Sequence, residues 1–308
     1  MSKFRYIYAL DATDQAIQRI DIGAKTYSTV VTGLDSVPDG IVVDPGREYI
    51  YWTNMGVPAL IREDGPLDES NLNFYGKNGS IERIGLDGNG RTTILPPGSF
   101  VTGKQLAGAW ASGRLYWSDR EGAAVRSARL DGTDLRDEVI VGVTEAEQRE
   151  VRNQCVGVAV DERNGYLYWT QKGPSKGGDG RIFRTSLEMP AGQNAEEREI
   201  EVLWSQLPEP IDLELDLDAG LIYWTDRGGP PYGNTLNKAA IPKAGEAGGS
   251  AVLLASGFHE AIGLAVDKVA GIAYVGDLLG EIRAVKLDGS GEGVLEKVPG
   301  RITGIAGV

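Results

Sequence analysis

The chain holds one histidine, His259, and the residue after it is Glu260. An imidazole beside a carboxylate suits general acid–base work near neutral pH. Further polar residues stand just before, or at the start of, short apolar runs: Asp39, Gln105, Asn153, Gln154, Glu209, Asp212 and Arg301. His259, Glu260 and Glu209 are the catalytic candidates. Asp39, Gln105, Asn153, Gln154, Asp212 and Arg301 are the binding candidates, with Phe74, Tyr75 and Tyr232 adding aromatic surface from two loop segments. Asn153, Glu209 and Asp212 are oxygen donors of the kind a divalent cation takes. No ligand-spacing motif accompanies them, so no metal or other cofactor is expected, and a divalent ion is the weaker alternative. The plainer reading of His259 is a solvated loop residue. The sole cysteine, Cys155, opens an apolar run and reads as a packing residue. No dinucleotide fingerprint, phosphate-binding loop, nucleophile elbow or Cys/His metal cluster is present.

Residues so far apart in sequence need a scaffold that converges them, and the chain spells one out. "YIYWTN" (49–54), "RLYWSD" (114–119), "YLYWTQ" (166–171) and "LIYWTD" (221–226) repeat, with weaker copies around Tyr8 and Tyr274. The first motif tyrosines fall at Tyr8, Tyr51, Tyr116, Tyr168, Tyr223 and Tyr274. Runs such as "GIVVD", "GVAVD" and "GLAVD" precede the motif; "DLELD" (212–216) fills that slot with more charge, and "QLAGA" (105–109) fills it without the Asp. An alternating polar–apolar stretch and a short apolar strand follow each copy. "LDG" at 86–88, 130–132 and 287–289 supplies tight turns. Each unit therefore reads as four short strands, and six units of about 50 residues suit a closed radial propeller. The end "ITGIAGV" (302–308) looks like a first strand and "RYIYALD" near the start like a second, so pairing them completes the sixth blade and removes an open sheet edge. Helix is scarce; 144–152 is the best candidate.

Surplus chain gathers on one side of such a disc. Residues 55–79, 172–180 and 227–234 follow second strands, and 96–104 and 142–154 follow fourth strands; 189–199, after a third strand, is the exception. The 55–79 insert carries Leu60, Ile61, Leu67, Leu72, Phe74 and Tyr75, and is read as a lid over the channel mouth. The polar candidates above would ring that mouth.

The repeat resembles the YWTD, or low-density lipoprotein receptor class B, six-bladed propeller family over essentially the whole chain. The resemblance implies an all-β fold: a six-bladed β-propeller with four-stranded antiparallel blades, one of them closed by the two terminal strands, in a single domain over 1–308. It also implies structural roles for the motif. The aromatic residues Tyr51, Trp52, Tyr116, Trp117, Tyr168, Trp169, Tyr223 and Trp224 would pack between blades, and Asp119 and Asp226 would brace turns. Similar six-bladed hydrolases of the gluconolactonase type hold a divalent metal in this region, and strictosidine-synthase-like propellers use a channel Glu without one. The chain departs from the receptor relatives in lacking cysteine-rich modules, and without an apolar leader it reads as a stand-alone intracellular, cytoplasmic, monomeric member.

A net charge of −13 disfavours nucleic acid and anionic membrane surfaces as partners. The function expected is binding of a small organic molecule in the central channel under the lid, with hydrolase, lyase or cyclase chemistry. The alternative is a non-enzymatic protein-interaction scaffold, and a metal-dependent lactonase-like hydrolase is the weaker one.

Overall fold

A computed structural model describes residues 3–66 and 71–308. Leu67, counted above among the insert's apolar residues, lies outside the described residues. Six four-stranded antiparallel sheets are arranged in a ring, each with its first strand innermost. Blade 1 pairs Ile302–Gly307 with Tyr6–Asp11, then Ala16–Asp21 and Thr26–Val31. This is the terminal closure read from the sequence. The innermost strands of blades 2 to 6 are Pro38–Asp44, Gly103–Ala109, Cys155–Asp161, Pro210–Asp216 and Ala261–Asp267.

The motif explains the ring. Successive side chains on a strand point to opposite faces, so Tyr and Trp of one motif serve two neighbours. Tyr51 packs with Trp117, Tyr116 with Trp169 and Tyr168 with Trp224. Tyr8 meets Trp52, and Tyr274 meets Ile7 and Ala9 across the closing seam. The motif hydroxyl ties blades together at the centre. Thr225 Oγ1 accepts from Asp212 N at 3.1 Å and donates to Ile262 O of the next blade at 2.7 Å. Thr53 and Thr170 do the same. Replacing Thr225 with Val leaves both buried backbone groups without partners. The expected loss is about 2–3 kcal/mol, read as a lower urea midpoint at unchanged slope.

The motif acid acts as foreseen. Asp119 accepts from the backbone N–H groups of Val101, Thr102 and Gly122, and Asp226 from those of Glu209 and Gly228. Each blade also carries a bulge in its innermost strand, and there neighbouring strands nearly touch. A side chain added at Gly157 would meet Ile211 O at 2.2 Å, and one at Gly304 would meet Asp39 O at 2.2 Å. Gly40, Gly157, Gly263 and Gly304 occupy this level in four blades; Gln105 and Asp212 occupy it in the other two.

Two expectations about connections are refined. The segment 96–104 is not a free loop, because the fourth strand of blade 2 runs on from Thr92 to Phe100. An outer strand tolerates Pro96 and Pro97, since its outward N–H groups need no partner. Within 144–152 the chain forms an α-helix, Glu145–Arg149, with Thr144 and Glu147 capping each other. The 55–79 insert contains a small hairpin, Ala59–Leu60 with Leu72–Asn73. No helix among the described residues is long and apolar enough to cross a membrane.

Candidate functional site

The two ends of the channel differ in chemistry. At the loop-rich end, polar residues from several blades form a buried charge network. Glu209, fully buried, accepts from Arg227 Nη2 at 2.6 Å and Nε at 3.1 Å, and from Lys176 N at 3.0 Å, with Lys172 Nζ at 3.5 Å. Arg227 also approaches Glu260 at 3.7 Å. Across the mouth, Lys104 pairs with the buried Asp39, and Arg120 pairs with Glu121 at 2.7 Å. Burial pushes the Asp39 carboxyl up and the Lys104 amine down, each opposed by the partner's charge. The insert lies over this network: Phe74 is buried under the Arg120 guanidinium at 5.6 Å, and the Met55 sulfur lies 3.2 Å from Lys104 Nζ. Beneath it, Val156, Ile211 and Ile262 pack with Leu278.

The sequence-derived candidates separate into groups. Asp39, Glu209 and Glu260 belong to the network just described. His259 is half-exposed and is held by Asp277, not Glu260: its Nδ1 is 3.2 Å from Asp277 Oδ2, which also accepts its backbone N–H. Asn153 donates to Glu147 O at 2.9 Å; Gln154 is buried beside it. Arg301 and Tyr232 are exposed, and Tyr75 lies under Arg149. Cys155 is buried, and its thiol is pushed up to about 12 chiefly by burial, which leaves no reactive thiolate. Among the described residues no group of three or more His, Cys, Asp or Glu converges as a metal-binding cluster. Two of the three candidate oxygen donors have other partners, Glu209 with arginine and lysine and Asp212 with two backbone N–H groups; Asn153 is anchored through its Nδ2, which donates to a carbonyl.

Gln105 and Asp212 mark the level below the network. Gln105 Nε2 reaches across the lumen to Thr303 O at 3.0 Å. Asp212 accepts from Leu213 N and Leu264 N, both at 2.9 Å, and burial raises its carboxyl well above the ordinary range. From these two residues a cavity of about 330 Å³ extends down the channel to the short-turn end, where Phe4, Trp110, Leu217 and Lys268 line it. Its walls are mostly Val, Leu, Ala and Gly, and one more carboxylate, Glu214, stands among them. Burial pushes Glu214 up to about 7, opposed by the charge of Lys268.

Glu214 was not among the sequence candidates, although the signal was in view. The position two residues after the glycine level of the innermost strand is Val42, Ala107, Ala159, Ala265 or Ala306 in the other blades. Only "DLELD" breaks that pattern, at Glu214, and it also carries Asp212 at the glycine level. Residues i and i+2 share a strand face, so both carboxylates belong to the channel side.

No protein-family model matches the chain. "Low-density lipoprotein receptor-related protein 1" of Pyricularia oryzae is 44% identical over 288 residues, covering 90% of this chain and 87% of that protein. "3-hydroxyacyl-CoA dehydrogenase-like protein LAM1" of Cochliobolus heterostrophus is 37% identical over 82% of this chain, which spans about half (52%) of that relative's length. Among solved structures, a chain of a nidogen/laminin complex superposes with a TM-score of 0.71 at 18% identity, covering 98% of this chain and 97% of its own; that likeness concerns the fold. With the ring of blades, the motif-mediated contacts between them and a relative this similar over most of both lengths, the chain belongs to the YWTD, or low-density lipoprotein receptor class B, six-bladed propeller family.

Proposed function

We propose that the chain binds a small organic molecule within its channel, entered from the short-turn end, with Glu214 as the group that meets it. The observation that carries this reading is Glu214 itself. It stands on the wall of a cavity of about 330 Å³ where the other five blades place Val or Ala. A carboxylate held inside the channel costs stability, and the repeat geometry makes no use of it. The cavity falls in the size range of small-molecule sites, roughly 300–1,000 Å³. At about 7, Glu214 is divided between its protonated and ionised forms near neutral pH. It can then donate a proton to a ligand or accept one, as non-redox hydrolase, lyase or cyclase chemistry requires. The loop-rich end, where the sequence reading centred the site, supplies the closed end of the channel in this proposal.

Thermal shift against a panel of small amines, alcohols and lactones tests it, with Ala107→Trp to fill the lumen and Glu214→Gln to remove the carboxylate. A compound that saturates the site raises the melting temperature of the wild type and loses that effect in both variants. An equal shift in Ala107→Trp would move the binding site out of the channel.

Glu214 also makes a prediction that needs no ligand. Its folded value lies above its unfolded one, so between about pH 4.5 and 7 the folded state binds more protons. Stability attributable to this group therefore falls as pH rises through that window. Glu214→Gln should flatten the fall by about 2 kcal/mol, allowing for water in the channel. Urea denaturation at pH 5 and pH 8 measures it. Part of the slope stays in the variant, because burial raises Asp212 and Asp226 in the same direction.

A second reading, docking of a protein on the loop-rich face, is favoured by a separate observation. Val57, Leu60, Ile61, Val143, Tyr232 and Leu279 are all exposed there, and clustered apolar exposure marks interaction sites. Ile61→Asp with Tyr232→Ala would weaken a protein ligand on that face and leave the cavity's thermal shift intact.

A further inference from the structure

A second concavity, of about 760 Å³, lies on the seam between blades 1 and 2 at the short-turn rim, apart from the channel. Three arginines and three tyrosines stand in its walls beside Glu48 and Asp87, in a chain whose net charge is −13. Arg5, Arg19 and Arg47 line it with Tyr6, Tyr8 and Tyr49. The Arg5 and Arg19 guanidiniums both lie over the Tyr6 ring, 4.9 and 5.0 Å from its centroid. One ring thus carries two guanidiniums.

The repeat provides an internal comparison. Arg19 stands opposite Tyr8 in register, as Arg184 stands opposite Tyr168 in blade 4. Arg184 is buried and neutralised: its Nη2 donates to Glu201 at 2.6 Å and to Lys243 O at 2.9 Å, and its Nη1 to Pro242 O at 2.7 Å. Arg19 has instead the side chain of Tyr8 and a long contact to Ser28 Oγ at 3.5 Å, and neither Arg5 nor Arg19 is ion-paired with any described residue. Of the nearby carboxylates, Asp44 holds Arg47 at 2.6 Å, and Asp87 accepts from Asn89 N–H at 2.9 Å and Nδ2 at 3.0 Å, which keeps it ionised. Glu48 is exposed at the rim. Each guanidinium, seated on an aromatic ring without a carboxylate of its own, offers the planar donor fork that matches phosphate oxygens.

We propose that this cleft binds the phosphate of a small organic molecule, its oxygens held by Arg5 and Arg19 and its organic body set between Tyr6 and Tyr49. The inference is independent of the channel. Calorimetric titration with inorganic pyrophosphate and with ADP at low salt tests it. Both probes are expected to saturate, ADP with the higher affinity, and both affinities should fall as NaCl rises. Arg19→Gln and Arg5→Gln should each weaken binding at least about tenfold, the scale of one charge-assisted hydrogen bond. Glu214→Gln and Ala107→Trp should bind both probes like the wild type, so failure here and failure of the channel reading are separately visible. Unchanged urea midpoints in the arginine variants separate lost binding from lost folding. If neither probe saturates with the wild-type protein, or if the Arg5→Gln/Arg19→Gln double variant binds equally well, the proposal is overturned. Equal affinity for pyrophosphate and ADP would remove the organic body from it.

Discussion

Arg227→Met is expected to destabilise the protein by about 3–5 kcal/mol, the scale for stripping one partner from a buried ion pair. The side chain forms two hydrogen bonds with Glu209, which is fully buried; among the described residues this leaves Glu209 with Lys172 at 3.5 Å and the Lys176 N–H at 3.0 Å. Burying a carboxylate carries a large desolvation cost, which the remaining partners offset only in part. Changing Glu209→Leu together with Arg227→Met should cost less than the sum of the single changes, because the two groups form one unit. Urea unfolding of the four proteins gives the coupling. A single-variant loss under about 1 kcal/mol would mean that the network is solvated. The loop-rich end would then be open to ligands, and the sequence expectation of a site beneath the lid would regain its footing over the short-turn cavity.

Trp117→Ala should cost a similar amount, about 3–5 kcal/mol, for a different reason. Trp117 is fully buried, lies 5.1 Å from the Phe100 ring and packs with Tyr51 of the preceding blade, so its loss opens a void on a seam between two blades. Its indole N–H has no hydrogen-bond partner among the described residues, so the loss is one of packing. Trp117→Phe should keep roughly half of the stability, because the remaining ring still fills much of the volume. If Phe were as damaging as Ala, the ring's bulk would not be what holds the seam.

These two variants probe two kinds of residue that differ in how legible they were. Trp117 could be placed from the chain alone. It recurs at a fixed position of a strand motif, and a period of two puts it opposite the neighbouring Tyr116, so its burial between blades follows from strand geometry. The closure of Ile302–Gly307 on Tyr6–Asp11 followed from the same reasoning, because a ring of sheets removes the edge that an open array would expose. The motif Asp was equally readable as a brace, and Asp119 and Asp226 both accept from backbone N–H groups of nearby turns; the bracing role of the motif Thr was not read from the chain.

Arg227, Lys172 and Lys104 were not singled out, nor was Glu214, and the reason is physical. Long-range electrostatics depends on distances across the channel, between residues that no local period relates. His259 next to Glu260 suggested a pair; the strand direction and the turn at Glu260, whose φ is +62°, instead direct the imidazole to Asp277 and the carboxylate toward Arg227. The sequence therefore determined the blades, their order and their closure, because those rest on periodic contacts that each repeat carries within itself. Tertiary structure alone decided which end of the channel is filled and which is hollow, because that balance is set by non-repeating charges brought together from different blades.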